Sequence, residues 1–300
     1  MAYSVFCYSV TRGIKLKRRI VILCVCLWIF TGCVNMDNSQ LAGEKAKGII
    51  NESGLTIGER ANVPKEYTRV EIEENSFAAY LRNLPLKEHK AKVLYYNGKI
   101  KENYGVYEAV VDMEIGTKNL QQCADAVMRL RGEYLYQQKK WGEIHFNLTN
   151  GFRVDYSKWM QGYRVIVDGN KTYWEKKSQE LNSYDSFRKY MDFVFTYAGT
   201  LSLSKELQTV KLEEMQSGDV FIQGGSPGHA VIVVDMAENQ ETGEKLYMLA
   251  QSYMPAQDIQ ILANPNNREI SPWYVLSADE KICTPEWVFT KDDLMRFFDE

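Results

Sequence analysis

Three side chains in this chain have the types and placement to do chemistry together: Cys123, His229 and Gln251. A thiol beside an imidazole supplies a nucleophile and a proton carrier, and a third polar group fixes the ring's orientation. Cys123 lies near the start of a stretch in which Leu120, Cys123, Ala124, Val127, Leu130 and Tyr134 recur at helical spacing. Unpaired N–H groups and the macrodipole at a helix start favour a thiolate. His229 opens the strand-like run Ala230–Val234, after the Gly224–Gly228 connection and the run Val220–Ile222; this is a hairpin with a Gly/Pro-rich turn. Gln251 stands near the end of the next strand-like run, Lys245–Ser252, where its amide oxygen could accept the ring N–H of His229. Asp235, at the far end of the His229 strand, is the alternative orienting group. Each residue also has an ordinary reading. Cys123 lies on the apolar stripe, and free cysteine is among the most buried residue types. His229 could merely cap a strand, and Gln251 could be a plain strand residue.

Other chemistries find little support. There are three histidines, and no HExxH, CxxC, GxSxG or phosphate-binding glycine loop. No metal site and no cofactor are expected. The strand Ile144–Leu148 carries His145 and Asn147 on a polar face, and Trp159 and Tyr163 follow it. Aromatics interleaved with polar residues can line a groove for sugar or peptide, so these four are the candidate substrate-binding residues. Half-buried packing is the plainer alternative.

The elements that must position these residues are read from pattern. A helix runs from a cap at Thr117 or Asn119 to about Gln138. Strands are expected at Tyr67–Ile72, Val93–Tyr96, Val106–Ile115, Tyr163–Val167 and Ile259–Leu262, with short ones at Trp273–Leu276 and Trp287–Phe289. Helices are expected at Phe77–Asn83 behind a Ser76 cap, at Asp185–Ala198, and at Lys291–Phe298 behind a Thr290/Asp293 capping box.

Residues 1–32 read as an export signal, with a basic segment (Arg12, Lys15, Lys17, Arg18, Arg19), then the apolar stretch Ile20–Phe30. The following Phe30-Thr31-Gly32-Cys33 resembles the lipobox of bacterial lipoproteins, which implies lipidation at Cys33. Anchoring would follow from the acyl chains. Residues 33–62 are polar and read as a flexible tether, leaving 63–300 as a single domain. The signal carries five basic and no acidic residues, so the net charge of −3 becomes −8 without it. That acidity argues against nucleic acid as a partner. Of six cysteines, only Cys123 and Cys283 fall in the domain, either as a disulfide or as two thiols.

The cysteine-bearing helix, the strand Gly218-Asp219-Val220-Phe221 and the strand opened by His229 resemble the NlpC/P60 family of papain-like cysteine peptidases. The resemblance implies Cys123 as nucleophile, His229 as base and Gln251 as orienting residue, on an antiparallel sheet packed on helices. It also implies hydrolysis of amide bonds in cell-wall peptides. Gln122-Cys123-Ala124-Asp125 departs from that family's usual Asp-Cys-Ser-Gly. Closer, and over nearly all of 67–298, LQQCADAVMRLRGEYLY, IHFNLTNGFRVDYSKW and MLAQSYMPAQDIQIL resemble an uncharacterised bacterial lipoprotein family, domain of unknown function 4846.

The expected fold is α+β, an antiparallel sheet packed on helices with an NlpC/P60-like (papain-like) core and an N-terminal extension. The expected protein is lipid-anchored in the bacterial cell envelope, attached to membrane through its N-terminal lipid. Three functions stand: cysteine-dependent hydrolysis of peptidoglycan peptide amide bonds, non-catalytic binding of cell-wall peptide or a protein partner on the same fold, or, third, an assembly or scaffold subunit.

Overall fold

The run Ala230-Val231-Ile232-Val233-Val234 is apolar at every position, which suits a strand buried on both faces. A computed structural model, describing residues 48–103, 105–277 and 281–298, places it at the centre of the molecule. The export signal and Cys33 lie outside the described residues.

In chain order come α1 (Ile57–Arg60), β1 (Tyr67–Arg69), α2 (Phe77–Arg82), β2 (Tyr107–Val110) and α3 (Cys123–Gln137). Two small hairpins follow, β3 (His145–Asn147) with β4 (Arg153–Asp155) and β5 (Tyr163–Asp168) with β6 (Lys171–Lys176), separated by α4 (Tyr156–Met160). Next are α5 (Tyr184–Tyr197), α6 (Thr200–Glu206), β7 (Leu207–Thr209), β8 (Val220–Gln223), β9 (His229–Asn239) and β10 (Lys245–Gln251). The chain closes with β11 (Gln260–Leu262), β12 (Tyr274–Val275), β13 (Lys281–Cys283), β14 (Val288–Thr290) and β15 (Leu294–Phe297). The main sheet runs β2-β11-β10-β9-β8-β15-β7, with β1 added to β9 and β12 to β10. Its pairings are antiparallel. The fold is thus mixed α and β on an antiparallel sheet.

Alternation along β9 splits the core in two. Ala230, Ile232 and Val234 face a layer that includes α2, α3, α5 and α6. Val231, Val233 and Met236 face the other way, onto Phe221, Tyr247, Leu249 and the β13–β14 hairpin residues Ile282 and Phe289. Helices therefore cover one face and a hairpin with loops the other. Each fully buried Val or Ile here contributes roughly 1.5–3 kcal/mol over exposure, so a charge at Val233 would disrupt the sheet.

Helix α3 is buried on nearly all sides, Ala124 through Leu135. Two of its charged side chains, Arg129 and Glu133, pair with one another and with polar neighbours. Arg129 Nε donates to Glu133 at 2.6 Å, Arg129 Nη1 donates to Gln121 Oε1 at 3.0 Å, and the Tyr184 hydroxyl donates to Glu133 at 2.8 Å. The expected cap at Ser76 is present, its Oγ accepting the Ala79 N–H at 3.1 Å.

Boundaries differ from the sequence reading in several places: Val93–Tyr96 makes only isolated bridges at Leu94 and Tyr95, and the strand expected over Val106–Ile115 is limited to Tyr107–Val110. The α3 helix begins at Cys123, because Asn119 is occupied elsewhere: its Oδ1 accepts the Ala256 N–H at 2.7 Å. The expected terminal helix 291–298 is instead one 3-10 turn, Lys291–Asp293, followed by strand β15. The capping box is real, but β15 is drawn into the sheet between β8 and β7, where Arg296 reaches the buried Asp219. Structure also begins ahead of residue 63: Ile57 is buried, and Arg60 donates to the Gly54 and Lys87 carbonyls.

Candidate active site

Cys123 is the first residue of α3, behind an extended Gln122. The first N–H groups of any helix have no partner within it, so the thiol sits among backbone donors. The N–H groups of Ala124 and Ala230 favour its thiolate, yet burial outweighs them and pushes the thiol's pKa above its ordinary value. The thiol is free, so the Cys123–Cys283 pairing that the sequence allowed is not made.

His229 is the first residue of β9, opposite Gln223 on β8. Ala250 of β10 pairs with Ile232, and this register brings Gln251 to the face shared by His229. His229 Nε2 lies 2.9 Å from Gln251 Oε1. The other end of the same amide is committed, because Gln251 Nε2 donates to Glu286 Oε2 at 2.7 Å. The amide oxygen therefore faces the ring, and Nε2 of His229 carries the proton. Nδ1 keeps its lone pair in the neutral ring. The ring is buried among Tyr253, Trp287 and Phe289, with centroids at 4.8, 5.3 and 5.9 Å. Burial lowers its pKa to about 4, against the opposing hydrogen bond from Gln251.

Thiol and imidazole line one cleft of about 530 Å³. The glycine-rich turn Gly225–Gly228 forms one wall, the start of α6 another, and Tyr253, Met254 and Trp287 a third. Gly228 packs so tightly on α6 that a Cβ there would stand 2.5 Å from Thr200 Oγ1 and 2.6 Å from the Gly225 carbonyl oxygen. No lysine or arginine is among the lining residues. A hollow of similar size between α2 and α3, around Tyr80, Arg129 and Glu133, contains neither thiol nor imidazole.

Asp235, the alternative orienting group, is committed elsewhere. It is fully buried and takes Arg69 at 2.7 Å and Arg82 at 2.6 Å, tying β1 and α2 to β9. The four candidate substrate-binding residues do not line the cleft. His145 is half-buried on β3, with Nδ1 2.9 Å from the Glu143 carbonyl oxygen. Asn147 donates its backbone N–H to Glu206 at 2.6 Å. Trp159 is core, packed on Tyr190 and under Arg164, and Tyr163 begins β5. The sequence reading missed Glu286 and Lys101. Lys101 Nζ donates to Glu286 Oε2 at 2.7 Å, with both side chains largely buried. Only a buried lysine would have signalled them, and burial is not visible in an isolated Lys.

Among the described residues, no His/Cys/Asp/Glu cluster suited to a metal is present, and no helix is long and apolar enough to cross a membrane. A family model described as Domain of unknown function (4846) matches residues 57–296. No curated protein and no solved structure matches the chain.

Proposed function

For this chain, which belongs to the family described as Domain of unknown function (4846), we propose cysteine-dependent hydrolysis of an amide bond in a cell-wall peptide, by a protein lipid-anchored in the bacterial envelope. The observation that carries the reading is the orientation of His229 in the cleft it shares with Cys123. Its Nε2–H is held by Gln251, and Nδ1 is left as a base. Support also comes from the order of parts: cysteine at a helix start, histidine opening the second strand of a hairpin, polar residue on the next antiparallel strand. That order is the one implied by the resemblance to NlpC/P60 peptidases.

Burial disfavours both the thiolate and the imidazolium, so the resting pair is neutral. Attack is then general-base catalysed. As the Cys123 sulfur bonds to the scissile carbonyl carbon, its proton passes to His229 Nδ1. The carbonyl oxygen gains the negative charge, which the Cys123 N–H at the helix start would stabilise. The imidazolium returns that proton to the departing amine as the C–N bond breaks. Water, deprotonated by the same ring, hydrolyses the thioester. Cell-wall peptide fits an envelope address, and the cationless cleft suits an uncharged stretch around the scissile bond.

Burial of the thiol, which disfavours its nucleophilic thiolate, favours a second reading, a binding protein on the same fold. Purified muropeptides incubated with the protein and analysed by mass spectrometry separate the two. Hydrolysis products that vanish in Cys123→Ala and His229→Ala support the peptidase. Binding without products in the wild type, undiminished in Cys123→Ala, overturns it.

A further inference from the structure

Behind the His229–Gln251 contact runs a buried chain of polar groups that ends in an ion pair. Glu286 Oε2 accepts from both Gln251 Nε2, at 2.7 Å, and Lys101 Nζ, at 2.7 Å. Lys101 is 3% exposed and Gln251 2%. A buried ion pair is costly to desolvate and often stabilises no more than apolar side chains of the same volume would. Its place directly behind the imidazole points to a task other than stability.

The task follows from the symmetry of an amide. Gln251 can present oxygen or NH₂ to His229 with almost the same shape. Turned one way, it accepts from Nε2–H and leaves Nδ1 basic. Turned the other, it donates to Nε2, and the proton moves to Nδ1, where it cannot take a proton from a thiol. Glu286 is an acceptor only when ionised, so it admits one orientation. Lys101 Nζ donates to the same Oε2, which fixes that oxygen as the acceptor facing Gln251. We infer that Glu286, held by Lys101, is a positioning residue that turns the Gln251 amide and thereby sets the His229 tautomer. The kinetic consequence rests on the proposed reaction, but the tautomer does not.

The tautomer can be read directly by two-bond ¹H–¹⁵N correlation spectra of protein labelled at histidine, near neutral pH, with the His229 signals assigned from a His229→Gln variant. The wild type should show Nε2–H at His229. Replacing the pair together, Lys101→Met with Glu286→Met, leaves no unpaired buried charge and keeps the volume, so folding should survive. In that protein the Nδ1–H tautomer should become populated. Glu286→Gln, which keeps an acceptor oxygen, should hold the wild-type tautomer. If muropeptide is hydrolysed, the double variant should lose about 100-fold in kcat with KM little changed, the scale of general acid–base assistance. A wild-type ring protonated on Nδ1 overturns the inference without any variant. So does an unchanged Nε2–H tautomer in the folded double variant. If no muropeptide is hydrolysed but the tautomers behave as stated, the positioning role stands and the peptidase reading falls.

Discussion

Asp125 accepts the backbone N–H of Gln122 on Oδ2 at 2.9 Å, closing the first turn of α3 around Cys123. Its other oxygen is buried without a hydrogen-bond partner. Burial outweighs the Gln122 bond and raises the carboxyl pKa from 3.8 to about 8. The folded protein thus holds a proton on Asp125 that the unfolded chain releases near pH 4, and stability falls as pH rises from about 4 to about 8. Asp125→Asn keeps an acceptor for Gln122 without the charge. It should gain on the order of a few kcal/mol over wild type at pH 8, and little at pH 4. Urea unfolding at the two pH values measures this. Because the Asp125 charge also raises the thiol pKa, iodoacetamide should modify Cys123 faster in the variant above pH 8.

His229 gives the opposite sign. Its folded pKa of about 4 lies below the ordinary 6.5, so the unfolded chain binds the proton first. Stability is full above about 6.5 and is lost as pH falls toward 4. Between pH 7 and pH 4.5 the wild type should lose about 2 kcal/mol more than His229→Gln, by denaturant unfolding. An equal loss in both would show that the ring is not held neutral by burial.

Much of this arrangement was legible in the sequence because its signals are local. The cluster Gly224–Gly228 between apolar runs marks a hairpin wherever it occurs, and it placed His229 at a strand start and Gln251 one strand away. The residues Lys101 and Glu286 were not legible, since they lie 185 positions apart and neither sits in a motif. The expected helix over 291–298 failed for a related reason. Thr290 and Asp293 do form a capping box, but a cap commits only one turn, and long-range pairing with β7 and β8 decides the rest. Helix α6 was missed because Thr200-Leu201-Ser202-Leu203-Ser204 alternates like a strand. Trp159 and Tyr163 looked like groove residues because aromatics beside polar groups carry that signal whether they face a ligand or a core.

The strand that replaced the expected helix supplies a stability test. Asp219 is fully buried, and Arg296 of β15 donates to it from Nε at 2.6 Å and from Nη2 at 2.9 Å. Removing one partner of such a pair costs about 3–5 kcal/mol, because a buried charge is left behind. Arg296→Met should show that loss at pH 8. Asp219→Asn in the same protein should recover much of it. If the double variant is no more stable than Arg296→Met, the cost lies in strand packing and not in the stranded carboxylate.

The turn that walls the cleft should resist even a methyl group. At Gly228 a Cβ would meet the Gly225 and Gln223 carbonyl oxygens at 2.6 and 2.8 Å as well as Thr200. Backbone cannot yield as a side chain can, so Gly228→Ala must displace the turn and His229 behind it. Overpacking of this kind costs roughly 1–3 kcal/mol. The expected result is that loss and, under the proposed reaction, slower muropeptide hydrolysis in the folded fraction at low temperature. Gly169→Ala is the control: its φ of +57° strains any side chain, but nothing lies within 4 Å of the new Cβ, so His229 and the cleft should be left in place and the proposed hydrolysis unchanged.

Charge in the cleft sets what it will accept. Its lining offers no lysine or arginine, and its carboxyl, Asp125, is largely protonated at neutral pH. A ligand carboxylate entering here would lose hydration without gaining a cation, which costs more than an uncharged amide that can hydrogen-bond to the turn. Wall peptides whose carboxyl groups are amidated should therefore bind Cys123→Ala protein about ten-fold more tightly than their free acids, or about 1.4 kcal/mol. Binding of the amidated form should hold as salt approaches about 1 M, where the screening length is about 3 Å. Calorimetric titration at low and high salt checks both points. A preference for the free acid that fades with salt would mean that a cation outside the cleft lining recruits the substrate, and that the uncharged segment is not what this cleft selects.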